Sequence, residues 1–191
     1  MNGKQSDWPV ELRGVTESII ATLGPNDLWN AAALGLHAVD PVTAKTWGNT
    51  RTRRNFHRRG GGVIQFTRDP VDFVDATLSI REEEDAVLES ADAWVEVEVE
   101  RVDSGKSGGT NWEQWELVPI ESEILTERVP TVNRGFSAVV EATVAVSRLD
   151  VDAYDVAELR ARLEYFEAVA RKCGGKRERE AFDRIQELAE W

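Results

Sequence analysis

The sequence predicts an α+β fold, with strands in the first two thirds of the chain and helices in the last third. Apolar and acidic residues alternate strictly over Ala93–Val102, which is typical of a half-buried strand. Apolar residues instead recur at helical spacing over Val156–Cys173 and Lys176–Trp191. Because strands precede helices rather than alternate with them, the pattern favours an antiparallel sheet over a parallel doubly wound one.

The first part of the chain contains short β-rich segments separated by turn signals. Val15–Leu23 and Leu28–Val39 flank a Gly-Pro-Asn-Asp turn and predict a hairpin. Val42–Trp47 follows an Asp-Pro turn, and Gly62–Thr67 has the composition of a buried strand. We therefore expect four strands before residue 68.

The later segments are predicted in the same way. Asp69 precedes Pro70 and is expected to cap a helix that begins there. Trp112–Ile124 resumes the strand pattern, so 93–125 is predicted to be a long hairpin with a flexible loop over Asp103–Asn111. Asn133–Leu149 has apolar spacing suited to a helix, although its valines also allow a strand.

Several protein classes are excluded by composition. The single cysteine, Cys173, excludes a disulfide framework and a cysteine-based zinc site. No apolar run approaches the roughly 20 residues of a membrane-spanning helix. The polar start, Met1–Trp8, predicts no secretory leader. We therefore expect a cytoplasmic protein.

The charge balance is strongly acidic. Asp and Glu number 35 against 23 Lys and Arg, a formal net charge of −12, and 18 of the basic residues are Arg. An acid excess with few lysines is typical of proteins adapted to high salt, and an acidic scaffolding protein would look similar. The overall charge argues against general nucleic-acid binding, because a polyphosphate would be repelled.

A run of five arginines within Arg51–Arg59 stands out against this background. Thr50 or Thr52 could cap a short helix here, and a helix N-terminus suits a phosphate. The Arg51 guanidinium, the threonine hydroxyls and the Asn55 amide would add donors. At this position Arg51 is predicted to face the phosphate, and Arg58 to face solvent or an acidic neighbour. A solvated basic helix and an RNA-binding patch are the alternatives.

Small residues over Trp29–Gly35 leave room for a flat ring beside a strand, with Asn30 as a polar contact, or they allow close strand packing. The acidic run at 82–85 is expected to be a solvated face. His37 and His57 have no metal-ligand spacing, so no metal is predicted. With no nucleophile or acid–base motif in the sequence, catalytic residues stay unknown and any chemistry would come from a bound cofactor.

The order of these features resembles the FMN-binding split β-barrel superfamily, which includes flavin reductase-like and flavoredoxin-like proteins. The chain is similar in particular to DUF447, a mainly archaeal family of unknown function. The motifs that carry the resemblance are LGP-x-x-x-WNAAxLGL at 23–36, WGNTRTRRNF at 47–56 and DPVxFV at 69–74.

The resemblance implies an antiparallel split barrel over residues 1–130, with a helical region at 131–191 packed on it. It implies FMN as cofactor and a homodimer with the flavin near the interface. The residues implied for the phosphate are Thr50, Arg51, Thr52 and Asn55, and those for the flavin ring are Asn30, Ala31 and Ala32.

The function implied is FMN binding. A flavin-dependent oxidoreductase of unknown substrate and a non-catalytic flavin-binding or storage module both remain open, and an arginine-rich RNA-binding protein ranks below them.

Overall fold

The computed structural model describes residues 7–191. Two compact units are present. The first contains residues 7–68 and Arg81–Glu127, and the second contains Asp69–Ile80 and Arg128–Trp191. Among these described residues, the strands belong to the first unit, and four of the five helices belong to the second. The helical unit thus includes a segment, Asp69–Ile80, that lies in the sequence between two strands of the first unit. The predicted boundary at 130–131 stays a prediction.

The first unit is an antiparallel barrel. Its strands are β1 (Val15–Leu23), β2 (Trp29–His37), β3 (Thr43–Trp47), β4 (Gly61–Thr67), β5 (Arg81–Glu83), β6 (Ala91–Ser107) and β7 (Thr110–Ile124), and α1 (Arg51–Arg59) precedes β4. Neighbouring strands run in the order β1-β4-β6-β7-β3-β2, and β2 pairs again with β1. Six strands therefore close into a barrel, which confirms the predicted fold, and β5 adds to the free part of β2.

One edge of strand β2 pairs with two different strands, and this arrangement positions the site. One edge pairs with β1 along its whole length, from Trp29 to His37. The other edge pairs with β3 at Leu36 and His37 but with β5 at its opposite end, where Asn30 faces Glu82. The sheet therefore splits at the start of β2, beside the β1–β2 turn.

The barrel interior is filled by side chains that alternate along its strands, as expected for a small closed barrel. Its buried members are Ile20, Leu34, Leu36, Ala44, Phe56, Ile64, Val95, Val97, Trp115 and Leu117. Helix α1 contributes Phe56, whose ring meets Trp115 edge to face at 5.1 Å between centroids. The helix thus shares the core of the barrel.

The prediction of a flexible loop over Asp103–Asn111 is wrong. Strands β6 and β7 continue to Ser107 and Thr110, and residues such as Gly105 and Trp112 pair in register. The turn is reduced to Gly108 and Gly109, both with positive φ, which glycine adopts without strain. A local excess of Gly and Ser predicted a loop, but strand pairing across the hairpin extends the ladder.

The second unit consists of helices α2 (Pro70–Leu78), α3 (Arg134–Val146), α4 (Val156–Cys173) and α5 (Lys176–Leu188). Asp69 caps α2 as predicted, because its carboxylate accepts from the amides of Val71 and Asp72. The core of this unit includes Val139, Leu163 and Phe182, each fully buried. Within residues 7–191 no helix is long and apolar enough to cross a membrane.

Candidate functional site

Helix α1 opens at the residue type that the sequence predicted. Thr50 is the N-cap, and its hydroxyl oxygen accepts from the Arg53 amide at 3.2 Å. The helix ends at Gly60, whose φ of 69° is left-handed. The amides of Arg51 and Thr52 therefore lie at the partially positive end of the helix, where an anion is favoured.

One face of α1 borders a cavity of about 360 Å³. Arg51, Arg54, Asn55 and Arg58 lie three or four residues apart, so their side chains share this face. The opposite wall comes from the β1–β2 turn, the start of β2 and β5, and the full lining is Gly24, Pro25, Asn26, Asn30, Arg51, Arg54, Asn55, Arg58 and Glu82. We call this the arginine cavity. Three guanidinium groups meet a single carboxylate in it.

The side chains of the arginine cavity already form hydrogen bonds across it. Arg51 Nη1 donates to Glu82 Oε1 at 2.6 Å, and Asn26 Nδ2 donates to the same oxygen at 3.1 Å. Arg54 Nη1 donates to the carbonyl oxygen of Asn49 at 2.7 Å. Hydrogen bonds therefore orient the Arg51 and Arg54 guanidinium groups, although both side chains remain accessible to solvent.

Asn55 joins the helix to the end of the barrel. It is 4% exposed, and its Nδ2 donates to the hydroxyl of Thr22 at 3.0 Å. Its Oδ1 accepts from Arg58 Nη1 at 2.7 Å. The Asn55 amide thus orients Arg58 from a fixed point on β1.

Of the seven residues predicted for the site, three line the arginine cavity: Asn30, Arg51 and Asn55. Thr50 caps α1, and Thr52 is buried, with 5% exposure. Ala31 and Ala32 lie outside the lining. Ala32 packs against the barrel core, and Ala31 is buried on the opposite face of β2 from Asn30.

The expectation for Arg58 was incomplete. Arg58 was predicted to face solvent or an acidic neighbour, and it is exposed, but it also lines the same cavity as Arg51 and donates to Asn55 Oδ1. Seven residues are nearly two full helical turns, so the two arginines lie on one face of α1. This spacing is visible in the sequence, and it also places Arg54 on the same face of the helix.

Glu82 makes a contact that was not expected. The acidic run at 82–85 was predicted to be solvated, and Glu82 is exposed as a residue, but its side chain is 28% exposed and its carboxylate lies in the arginine cavity. Nothing local in the sequence identifies this pairing, because 31 residues separate Glu82 from Arg51.

The other face of α1 holds a second charged cluster around Glu113, which is 2% exposed. Arg53 Nη2 lies 2.8 Å from Glu113 Oε1, His57 Nε2 lies 2.8 Å from Oε2, and Arg101 Nη1 lies 3.3 Å from Oε1. Burial raises the pKa of Glu113, but hydrogen bonds from Arg53, His57 and Arg101 outweigh it and hold this pKa below its usual value. Neither this cluster nor any other part of residues 7–191 brings together three His, Cys, Asp or Glu side chains that could hold a metal ion.

A groove of about 660 Å³ adjoins the arginine cavity. Leu23, Trp29 and Arg59 line the groove, and their chain neighbours Gly24, Asn30 and Arg58 line the cavity. Its far wall includes the exposed apolar side chains Val118 and Ile120 on β7, together with Glu96, Glu98 and Glu100 on β6.

Of the following similar solved structures, the first agrees with this architecture over most of the chain. A protein of the DUF447 family from Methanosarcina mazei, whose crystal structure is described as FMN-bound, is 25% identical and has a TM-score of 0.78, with 93% of this chain and 96% of that chain covered. The flavin reductase of styrene monooxygenase from Pseudomonas putida S12 is 12% identical, with a TM-score of 0.43 and 61% and 93% covered. Flavoredoxin from Methanosarcina acetivorans is 10% identical, with a TM-score of 0.40 and 66% and 79% covered.

Family models match most of the chain. The model described as the N-terminal domain of a protein of unknown function (DUF447) matches residues 16–126. A second, described as a protein of unknown function (DUF447), matches residues 133–187. The chain therefore belongs to the DUF447 family.

Proposed function

We propose that this protein binds FMN and holds the terminal phosphate of the flavin in the arginine cavity. The observation that carries the proposal is the convergence of Arg51, Arg54 and Arg58 on one cavity along one face of α1, in a chain of net charge −12. The related protein from Methanosarcina mazei, described as FMN-bound, supports the choice of ligand.

The donors present fit a phosphate monoester. Guanidinium groups bind phosphate oxygens through paired hydrogen bonds, and the amides at the start of α1 add neutral donors. Thr52 would act through its backbone N–H, because its side chain is buried. Thr50 would act by holding the helix start in place.

Polar side chains and small residues near the arginine cavity suit the remaining parts of the flavin. The carboxamides of Asn26 and Asn30 line the arginine cavity and suit the hydroxyls of a sugar alcohol. We propose that the flavin ring lies along the start of β2, at Asn30, Ala31 and Ala32, where small side chains allow close approach to the backbone. A bound flavin would supply hydride or electron transfer, while the chain supplies binding and orientation.

A concave site favours a small ligand over RNA. The three arginines of the cavity converge on about 360 Å³ instead of forming an extended basic stripe. The overall negative charge would also repel a long polyanion. RNA binding is therefore the weaker alternative.

The proposal is tested by comparing FMN with riboflavin, which lacks the phosphate. A hydrogen bond to a charged group contributes about 1.5–3 kcal/mol, so several together predict at least about hundredfold tighter binding of FMN. The measurement is a titration of the purified apo-protein followed by flavin fluorescence. Equal affinities would contradict the assignment of the cavity to the phosphate.

We further propose a flavin-dependent oxidoreductase activity, with a non-catalytic flavin-binding module as the alternative. The two differ in one measurement, which is anaerobic bleaching of the bound FMN by NADH or NADPH. We also propose a cytoplasmic protein adapted to high salt, supported by its acidic, lysine-poor composition.

A homodimer with the flavin near the interface completes the proposal. It is supported by the groove beside the arginine cavity, where Val118 and Ile120 expose 47% and 44% of their surface.

A further inference from the structure

Glu82 is the only acidic side chain among the described residues that line the arginine cavity. It lies in β5 opposite Asn30 of β2. Its Oε1 accepts from Arg51 Nη1 at 2.6 Å and from Asn26 Nδ2 at 3.1 Å. One carboxylate oxygen therefore takes two of the donors that face the cavity.

We propose that Glu82 is a built-in competitor of the FMN phosphate, which sets the affinity of the site and keeps the cofactor exchangeable. This inference rests on the proposed function. A phosphate that takes the Arg51 Nη1 donor displaces the Glu82 carboxylate, because that nitrogen already donates to Glu82 Oε1. The displacement is feasible because a terminal phosphate carries about −1.5 to −2 charges at pH 7, against −1 for the carboxylate. When FMN leaves, Glu82 can return to Arg51 and lower the cost of exposing that charge.

The contact is not needed to hold β5 in the sheet. Strand β5 pairs with β2 through backbone positions, and Glu83 forms its own ion pair with Arg81 at 2.6 Å within the strand. The side chain of Glu82 instead reaches across the cavity to α1. Arg51 is 39% exposed, so this ion pair contributes little to folding stability, as is usual for pairs in contact with solvent.

The test compares Glu82→Gln with Glu83→Gln, a matched control on the next residue of β5. Glutamine keeps the shape of glutamate and an oxygen for Asn26 but removes the charge that competes for Arg51. For Glu82→Gln we expect FMN to bind about fivefold tighter and to dissociate more slowly, because the displaced group is now neutral. Riboflavin affinity should change less than about twofold, and Glu83→Gln should match the wild type with both flavins.

A double-mutant cycle with Arg51→Ala assigns the effect to this pair. In the Arg51→Ala background the Glu82→Gln substitution should leave FMN affinity unchanged within about twofold. Unchanged or weaker FMN binding by Glu82→Gln alone would overturn the competitor role, as would an equal gain for riboflavin. A wild-type protein that fails to bind FMN would instead contradict the proposed function, and this result is distinct from those of the variants.

Discussion

At the scale of single residues, the spacing of the arginines on α1 separates their roles. Arg51 and Arg58 are seven positions apart and line the arginine cavity, whereas Arg59, one position further, lines the neighbouring groove. Arg59 is 43% exposed and lies 3.9 Å from the exposed Asp27. One residue of shift therefore changes the direction of an otherwise identical side chain by about 100° around the helix.

This difference predicts a contrast between two neighbouring substitutions. We expect Arg58→Ala to weaken FMN binding about tenfold, because it removes a charged donor from the proposed phosphate site. Arg59→Ala should change it less than about threefold, the effect of a surface substitution. Fluorescence titration of the two apo-proteins measures the contrast, and circular dichroism checks that both are folded. A larger loss from Arg59→Ala would contradict the arginine cavity as the phosphate site.

At the scale of elements, Glu113 ties α1 to the barrel wall. The carboxylate belongs to β7, while Arg53 and His57 belong to α1 and Arg101 to β6. His57 also meets the ring of Trp115 at 5.0 Å between centroids. The face of α1 opposite the arginine cavity is therefore fixed by charge and by ring packing, which holds the cavity face in a constant orientation.

The lowered pKa of Glu113 makes this attachment sensitive to acid. Because the native pKa lies below the ordinary value of 4.5, Glu113 contributes stability that is present above about pH 4.5 and is lost as the pH falls through its native pKa. We expect Glu113→Gln to lower the free energy of unfolding at pH 7 by about 2 kcal/mol, since three donors lose their charged partner. Between about pH 5 and pH 3 its free energy of unfolding should fall less steeply than that of the wild type.

Urea unfolding at several pH values measures this difference. Glu89→Gln is the matched control, because Glu89 is an exposed glutamate that lies outside both the groove and the Glu113 cluster. Its unfolding free energy should follow the wild type across the whole range. Parallel pH profiles for Glu113→Gln and the wild type would show that the cluster does not stabilise the native fold.

At the scale of the whole molecule, the apolar side chains beside the groove predict an assembly. We expect sedimentation in high salt to give about twice the chain mass of 21.4 kDa. Ile120→Glu should shift the protein to the monomer, because it places a charge in the proposed interface. Val132→Glu is the control, since Val132 is fully exposed and lies outside the groove. A wild-type monomer that binds FMN tightly would contradict the dimer.

The local elements could be predicted from the sequence because their signals are local. The Gly-Pro-Asn-Asp turn separates β1 from β2, Thr50 caps α1, and Asp69 with Pro70 starts α2. Each of these signals acts within a few residues, through turn conformation, capping or helical spacing. The paired tip of the β6–β7 hairpin was missed, because its ladder depends on pairing between strands instead of on local composition.

The positive charge of the candidate site could be predicted from the sequence, but only some of the residues that line it could. The sequence by itself determined the arginine-rich helix, its threonine cap and the asparagine that precedes the small residues of β2. Only the tertiary structure decided that β2 closes the barrel on β1 and that Glu82 meets Arg51 across 31 residues. Glu113 likewise reaches Arg53 across 60 residues. Contacts over such distances depend on strand order and register, which local periodicity does not encode.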